Sequence, residues 1–221
     1  MTDLVDGMAL HMRSQSQRRR DVLAARAARR SQLQAAASEI FVLRGYHGAC
    51  MEEIASRAGI SKPILYQHFS GKLELYLAVL SSHADALVSE VLGALHSTSD
   101  NYQRVRAAVQ AYFDFVDNET EGFRLVFESD VMSEPSVQRI VDRTNDACVD
   151  AIVEFITKAA RLEPNKARAL AVGLVGASQA TARYWLDADR PVSKCDAVEA
   201  SVALCWGGLS GLPLQTTDPS R

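Results

Sequence analysis

The hydrophobic positions of this chain recur with the period of an α-helix over almost its whole length. From residue 29 onward, apolar residues return every three or four positions, as at Leu33, Ala37 and Ile40. No stretch alternates apolar and polar residues in the way that a half-buried strand does, and no internal repeat is present. Segments with this period are typical of amphipathic helices that pack against one another. The pattern therefore predicts an all-α fold.

Start and stop signals divide this pattern into about nine helices. Gly45 is typical of a residue that ends a helix, Asp100 is placed to cap the next helix, and Pro164 suits a first helical turn. Ser193 and Asp196 resemble a capping box. The predicted helices cover residues 29–43, 51–58, 62–69, 73–95, 101–117, 119–131, 135–160, 164–188 and 194–210.

The formal net charge of −3 is divided unevenly along the chain. Residues 1–75 hold eleven Lys and Arg against seven Asp and Glu, a net charge of +4, and the remainder carries −7. An N-terminal third that faces a polyanion would explain this division, and chance scatter of charge is the alternative. We expect residues 1–27, which include Arg18-Arg19-Arg20, to form a flexible basic arm that either reaches DNA or stays solvated. Residues 213–221 are expected to be a disordered tail.

The composition is that of an ordinary globular protein, with 48% hydrophobic and 23% charged residues. Charged residues interrupt every apolar run, so we expect none to approach the roughly 20 residues of a membrane span, and the N-terminus lacks the apolar core of a secretory signal. We therefore expect a cytoplasmic protein that does not associate with a membrane. The four cysteines, at 50, 148, 195 and 205, do not have the spacing of a metal site, so no metal or resident cofactor is expected.

An enzyme is the first alternative class. The segment Gly176-Ala177-Ser178-Gln179-Ala180 approaches a nucleophile elbow, but it has Ala where the last Gly belongs and lies inside a predicted helix. No glycine-rich phosphate loop accompanies it. We therefore predict no catalytic residues, because helix packing explains Ser178 better.

Residues 51–69 have the spacing of a helix-turn-helix. Ala55 is small enough for a second helix to cross closely, and Gly59 permits the left-handed backbone of a tight turn. Ile60 fills the space beneath that turn, and Ser61 is placed to cap the following helix. Leu65, with Phe69 four residues later, anchors the following helix to its neighbours. Such a motif projects its second helix outward.

The projecting helix carries groups that suit DNA. Lys62, Tyr66 and Gln67 lie where they reach base edges in a major groove. A second set of polar and basic residues suits phosphates: Ser61, His68, Lys72, Arg29 and Arg30. Each residue alone has an ordinary surface or packing role, and it is their combination on one scaffold that predicts DNA binding. An architectural DNA binder without a ligand is disfavoured, because the acidic remainder of the chain would be repelled by DNA.

Residues 29–80 resemble the TetR family of bacterial regulators. The resemblance is carried by Gly45-Tyr46, Ile54-Ala55, Ala58-Gly59-Ile60-Ser61, Leu65-Tyr66 and His68-Phe69, with Lys72 following. It implies a helix-turn-helix domain over 28–75 and a ligand-binding and dimerisation domain over 76–212. It also implies that Lys62, Pro63, Tyr66 and Gln67 read bases. Cys50 stands where the family usually has a capping Ser or Thr, so the phosphate contact of that residue is in doubt here.

The C-terminal half suits an apolar ligand. Aromatic residues concentrate between 112 and 127, where they form either a pocket wall or an ordinary helical core. The candidate ligand-binding residues are Phe113, Phe123, Phe127, Cys148, Ile152 and Val175. Small residues on the last two helices, together with Trp185 and Trp206, are candidates for a symmetric dimer interface. The small residues are Gly173, Gly176, Ala177, Ala180, Ala200, Ala203, Gly207 and Gly208.

Further stretches look like the actinobacterial TetR-type regulators of fatty-acid synthase genes. They include residues 62–69, 72–80 and 182–189, and similar segments at 109–115 and 206–210 reach into the effector domain. This resemblance implies a homodimer that binds a palindromic operator and responds to long-chain acyl-CoA. A TetR-type repressor of an efflux or catabolic operon, responding to another apolar molecule, is the alternative.

Overall fold

The computed structural model describes residues 2–118, 122, 125, 131, 133–160 and 162–210. Within these residues all regular structure is helical, which confirms the predicted all-α fold. The predicted helix over 119–131 lies mostly outside the described residues. The eight described helices are α1 (Thr2–Gly48), α2 (Met51–Arg57), α3 (Lys62–His68), α4 (Lys72–His96), α5 (Asn101–Asn118), α6 (Pro135–Ala160), α7 (Pro164–Asp187) and α8 (Lys194–Ser210).

Helix α1 is much longer than the sequence pattern indicated. It begins at Thr2, so residues 2–27, predicted to be a flexible arm, are helical instead. The physical reason is intrinsic propensity: residues 8–44 contain neither Gly nor Pro and are rich in Ala, Arg, Leu and Gln. Gly45 interrupts the helix with a φ of 66°, a left-handed value that favours glycine, so the stop signal lies where it was expected.

The chain divides into two compact units, Met1–Val79 and Leu80–Arg221. The boundary lies four residues beyond the predicted end of the DNA-binding domain, and it falls inside α4. The N-terminal unit packs α1, α2, α3 and the start of α4 around one core. The largest side chains buried in that core are Phe41, Phe69, Tyr76, Leu33, Ile54, Leu65 and Leu75.

The C-terminal unit contains the larger core. Helix α6 packs along α7, and α5 packs against both α7 and α8. The rings of Phe113 and Trp185 lie with centroids 5.7 Å apart in the centre of this core. The unit buries side chains from five helices, including Leu87, Val91, Tyr112, Val116, Cys148, Ala182, Val198 and Cys205.

Helix α4 has the length and the apolar composition of a membrane span. The expectation that no apolar stretch approaches such a length was therefore wrong. The helix carries Lys72 and Glu74 in its first turn and Asp85 and Glu90 further along, and many of its apolar side chains belong to the protein core. Those that are buried include Leu75, Tyr76, Val79, Leu80, Ala84, Leu87 and Val91.

Candidate DNA-binding surface and ligand cavity

The turn between α2 and α3 has the hydrogen bonds of a Schellman motif. Gly59, with a φ of 67°, donates its N–H to the Ser56 carbonyl at 3.1 Å. Ile60 donates to the Ala55 carbonyl at 3.0 Å, and both bonds satisfy carbonyls at the end of α2. Ser61 then begins α3, although its hydroxyl makes no capping hydrogen bond, which corrects the predicted cap. The hydroxyl is instead exposed beside the helix that would enter DNA.

Helix α3 buries one anchor and exposes the side chains predicted to read bases. Leu65 is fully buried, whereas Lys62, Pro63 and Gln67 are exposed and Tyr66 is 43% exposed. The same surface also includes one residue that the sequence interpretation omitted, since Ile64 is 39% exposed. An exposed Ile next to polar groups can contact the methyl group of thymine. Its position three residues before Gln67, on the same side of the helix, could have identified it.

Lys62 is held by partners in its own unit. Its ammonium forms an ion pair with Glu52 of α2 and lies 5.8 Å from the centroid of the Tyr66 ring. The hydrogen bond from Lys62 lowers the pKa of Glu52, and the same bond raises the pKa of Lys62. Both groups are open to solvent, so the pair exchanges readily. Lys62 can therefore leave Glu52 for a base edge or a phosphate.

Two predicted phosphate ligands also have partners within their own unit. Arg30 donates to the His68 carbonyl at 2.6 Å, stacks on the Phe69 ring at 4.0 Å and lies 3.5 Å from a Glu74 oxygen. Lys72 donates to the His47 carbonyl at 3.3 Å and to the Ala49 carbonyl at 2.9 Å. Its ammonium lies over the Tyr46 ring, 4.6 Å from the centroid. These contacts join α1 to the ends of α3 and α4.

The remaining predicted phosphate ligands occupy the expected surface. Arg29 is exposed on α1 and donates to Gln32 at 3.2 Å. His68, at the last turn of α3, is partly buried. Cys50 precedes α2 without a side-chain capping bond and is exposed, as expected for a residue that replaces Ser or Thr. The structure thus places all of the DNA-facing candidates in one unit. Arg30 and Lys72 also bind backbone carbonyls of that unit.

The C-terminal unit contains an apolar cavity between α4, α5, α6, α7 and α8. Its accessible volume is about 60 Å³, and the empty space within its lining, including space open to solvent, is about 660 Å³. Arg104 is the one charged residue of this lining. The walls are otherwise almost entirely apolar: Val91, Leu95, Val105, Ala108, Val109, Tyr112, Cys148, Ile152, Phe155, Ile156, Leu174, Val175, Ser178 and Cys205.

The cavity includes half of the predicted ligand residues. Cys148, Ile152 and Val175 are part of its wall. Phe113 is fully buried against Trp185 and does not line the cavity. It is therefore an ordinary core residue, which was the alternative to a pocket wall. Phe123 and Phe127 lie outside the described residues. Phe155 and Leu174 were missed, although the position of Phe155 three residues after Ile152 could have identified Phe155.

The chemistry of the cavity wall is inert. Burial raises the pKa of the Cys148 thiol to about 11, and it also raises that of Cys205. Both thiols therefore stay protonated near neutral pH and act as small apolar groups. Arg104 donates to the Thr98 carbonyl at 2.5 Å and lies 4.5 Å from the Phe155 ring centroid, so its guanidinium is held at the wall.

Two family models match the chain. Residues 33–79 match the bacterial regulatory proteins of the tetR family, and residues 102–208 match the tetracyclin repressor-like C-terminal domain. The HTH-type transcriptional activator FasR of Mycolicibacterium smegmatis (strain ATCC 700084 / mc(2)155) is 57% identical over 186 residues, which are 84% of this chain and 85% of that protein. The chain belongs to the TetR family. It is a DNA-binding transcriptional regulator.

Solved structures share the fold of this TetR-family regulator. A tetR-family transcriptional regulator from Streptomyces coelicolor aligns with a TM-score of 0.70 and 26% identity, over 83% of this chain and 81% of that one. The transcriptional regulator FadR from Bacillus subtilis, solved in complex with stearoyl-CoA, aligns with a TM-score of 0.67 and 14% identity, over 80% and 98% of the two chains. The second likeness concerns the fold alone.

The last two helices of the TetR-family chain expose a face of small and apolar residues. Val172 and Tyr184 on α7 and Leu204 on α8 are 54%, 68% and 61% exposed. The small residues predicted for an interface are also exposed, except the partly buried Ala177: Gly173, Gly176, Ala180, Ala200, Ala203, Gly207 and Gly208. Trp185 does not belong to this face, because it is buried and donates to the Val192 carbonyl at 2.9 Å.

Trp206 and Ser178 also have roles inside the chain. The Trp206 ring packs edge-on against Tyr102 at a centroid distance of 5.5 Å, which ties α8 to α5. The candidate nucleophile Ser178 lies within α7, where its hydroxyl donates to the Leu174 carbonyl at 2.9 Å. The described residues contain no group of His, Cys, Asp or Glu side chains arranged to hold a metal. The geometry of Ser178 is that of a helical serine.

Proposed function

We propose that the protein is a homodimeric, cytoplasmic regulator of fatty-acid or lipid biosynthesis genes, with long-chain acyl-CoA as its effector. The observation that carries this proposal is the 57% identity with the transcriptional activator FasR, which extends over 84% of the chain. The apolar cavity supports an apolar effector. The stearoyl-CoA bound to the structurally similar FadR supports an acyl-CoA in particular. We propose no catalytic role.

DNA would be read by two copies of α3. In a symmetric dimer each α3 enters a major groove, and the two half-sites lie about 34–36 Å apart or a multiple of that distance. Two-fold symmetry requires a palindromic operator. Ser61, Lys62 and Tyr66 supply the groups for this groove, and the basic residues around them make binding depend steeply on salt.

The effector would act by enlarging the cavity. Its accessible volume of about 60 Å³ is smaller than an engineered cavity of about 150 Å³ that binds benzene. A long acyl chain therefore enters only if lining side chains move apart. Val91 and Leu95 of α4 belong to this lining, and α4 begins in the N-terminal unit at Lys72. A shift of α4 by the ligand would change DNA affinity by about 1–3 kcal/mol, or 5- to 150-fold.

A cavity-blocking variant tests this assignment. Ile152 lines the cavity, so Ile152→Trp should fill it, whereas Val192→Trp adds the same bulk at a side chain that is 50% exposed. Operator binding is measured by footprinting at a fatty-acid synthase promoter, with palmitoyl-CoA, free CoA or no addition. We expect palmitoyl-CoA, but not free CoA, to change the operator affinity of the wild type and of Val192→Trp. Ile152→Trp should bind the operator with an affinity that palmitoyl-CoA does not change.

Two outcomes would overturn the acyl-CoA assignment. The first is a wild-type protein whose operator affinity is the same with and without palmitoyl-CoA. The second is a response to an unrelated apolar drug that palmitoyl-CoA does not reproduce, which would favour the efflux or catabolic regulator. Mass spectrometry of lipids that copurify with the protein identifies the bound class directly.

A further inference from the structure

The N-terminal extension of α1 carries a line of arginines on one face. Successive residues of a helix are rotated by about 100°. By this spacing Arg18, Arg19, Arg26 and Arg29 fall within an arc of about 100°, which we call the arginine stripe. All four side chains are exposed. Arg20 lies about 150° from the centre of that arc.

The stripe continues the face by which α1 packs into its own unit. The buried residues of α1 fall in nearly the same angular range as the stripe, and they follow it along the helix without a break. They are Leu33, Ala36, Ala37, Ile40 and Phe41. The face of α1 that is apolar where it packs against the domain therefore becomes basic where the helix extends beyond it.

The end of the stripe is adjacent to the end of α3. Arg30, one residue after Arg29, donates to the His68 carbonyl in the last turn of α3 at 2.6 Å. Residues 18–29 span about 16 Å along α1 at 1.5 Å per residue. That length matches about five phosphates of a DNA strand at 3.4 Å each.

The stripe is not neutralised within its own unit. Among the described residues, none of its four guanidinium groups forms an ion pair with a carboxylate. The one acidic residue between positions 17 and 29 is Asp21, which accepts a hydrogen bond from Gln17 at 3.0 Å. Guanidinium groups bind phosphate oxygens in a bidentate manner, so this surface is chemically suited to a nucleic-acid backbone.

We propose that the arginine stripe is a second DNA-contact surface, which binds the phosphate backbone beside the base pairs read by α3. Its contribution to affinity is independent of sequence, because phosphates carry no base information. The surface lies outside residues 33–79, which match the family's DNA-binding domain. The operator that the dimer occupies is therefore longer than α3 alone requires.

The test compares two double variants of the full-length protein with equal loss of charge. Arg19→Gln/Arg26→Gln removes half of the stripe. Arg20→Gln/Arg139→Gln removes one arginine from the other side of α1 and one exposed arginine of α6. Operator affinity is measured by fluorescence anisotropy between about 50 and 200 mM salt. Circular dichroism checks that both variants keep the wild-type helix content.

We expect the stripe variant to lower the slope of log affinity against log salt by about 2 per protomer, since each lost phosphate contact removes about 0.9. The control variant should keep the wild-type slope. Trimming the flanking base pairs from the operator should lower the affinity of the wild type to that of the stripe variant. The affinity of the stripe variant itself should change little on trimming. Equal slopes for the two variants, or equal sensitivity to trimming, would overturn the proposal. A wild type that binds no operator would instead contradict the proposed regulatory function.

Discussion

Tyr66 is the most informative single side chain on α3. It is 43% exposed on a helix whose buried anchor, Leu65, is adjacent in sequence, and its ring is near the Lys62 ammonium. Removing the ring should cost a base contact without opening the core. We therefore expect Tyr66→Ala to weaken operator binding by about 1–3 kcal/mol, or 5- to 150-fold, in a gel-shift titration.

Leu43→Ala is the matched control for this change. Leu43 is 73% exposed on α1, so its truncation removes exposed apolar surface from the same unit but not from α3. It should leave operator affinity unchanged, and both variants should keep the wild-type oligomeric state in gel filtration. An unchanged affinity for Tyr66→Ala would show that α3 is not the reading helix.

For single residues, the sequence predicted which side chains are exposed better than it predicted their hydrogen-bond partners. Spacing placed Lys62 and Tyr66 on the exposed side of α3, because the helical period fixes which positions share a face. It assigned Arg30 and Lys72 to phosphates, and it did not identify the backbone carbonyls that both side chains bind in their own unit. Those carbonyls are 23 to 38 residues away in the chain, a separation that local periodicity does not describe.

The connection between α7 and α8 is held by a cluster of charges at the end of α5. Asp117 accepts from Lys194 at 3.0 Å and from Arg190 at 3.1 Å, and Lys194 also lies 2.8 Å from Asp114. Hydrogen bonds from Lys194 and then Arg190 lower the pKa of Asp117. Because Arg190 has a φ of 56°, this turn has a strained backbone that the charge cluster helps to hold.

We expect Asp117→Asn to lower the free energy of unfolding by about 0.5–1 kcal/mol at pH 7, or roughly 1–4 °C in melting temperature. A carboxylate whose pKa is depressed by folding stabilises the protein above its unfolded pKa, and this stabilisation is lost as the pH falls through the folded pKa. The difference between variant and wild type should therefore shrink below about pH 4. Thermal melts between pH 7 and pH 3 measure it.

Asp150→Asn is a suitable control for the charge cluster. Asp150 also faces a guanidinium, that of Arg168, but its side chain is 64% exposed against 26% for Asp117. Water screens the more exposed pair, so the control should lose less stability. A larger loss for Asp150→Asn than for Asp117→Asn would contradict the assigned role of the cluster.

Element boundaries were predictable where the chain has a local stop or start signal. Pro164 and the reciprocal hydrogen bonds of Ser193 with Asp196 begin α7 and α8 as expected. Gly45 interrupts α1 at the expected residue. The predicted start of α1 was wrong. Residues 2–27 were interpreted as a basic arm, although they include apolar residues such as Leu4, Val5 and Met8, and they form the first part of the helix.

The exposed face of α7 and α8 leads to a prediction for the assembly. Leu204 is 61% exposed among small residues of α8, a combination that allows two helices to approach closely. In a two-fold dimer Leu204→Asp would place a carboxylate in a desolvated interface on both subunits. We expect at least a tenfold weaker dimer by analytical ultracentrifugation, with a parallel loss of operator affinity.

The control for the dimer face is Leu43→Asp, which adds the same charge at an exposed leucine of α1. This variant should sediment as the wild type does. If Leu204→Asp sediments as a dimer of unchanged affinity, the interface lies elsewhere on the molecule.

At the scale of the whole molecule the sequence predicted two parts and an apolar cavity. Three of the predicted ligand residues, Cys148, Ile152 and Val175, line the cavity, because a buried helix face must be apolar. The sequence did not distinguish residues that line the cavity from residues of the core. Phe113, predicted to bind the ligand, packs in the core against Trp185. Which buried side chain faces a cavity depends on the packing of five helices together, which no single helix encodes.

Helix α4 runs without a break from Lys72 to His96, so the boundary between the two units lies in the middle of a helix. A gene fusion that joined the first 79 residues to an unrelated sensing domain would keep only eight residues of α4. These eight residues would have to be held by the packing of Leu75, Tyr76 and Val79, as packing also holds the seven-residue helices α2 and α3. Beyond Val79 the same helix supplies Leu87, Val91 and Leu95 to the core of the sensing unit, so a replacement sensing domain would have to provide its own continuation of α4.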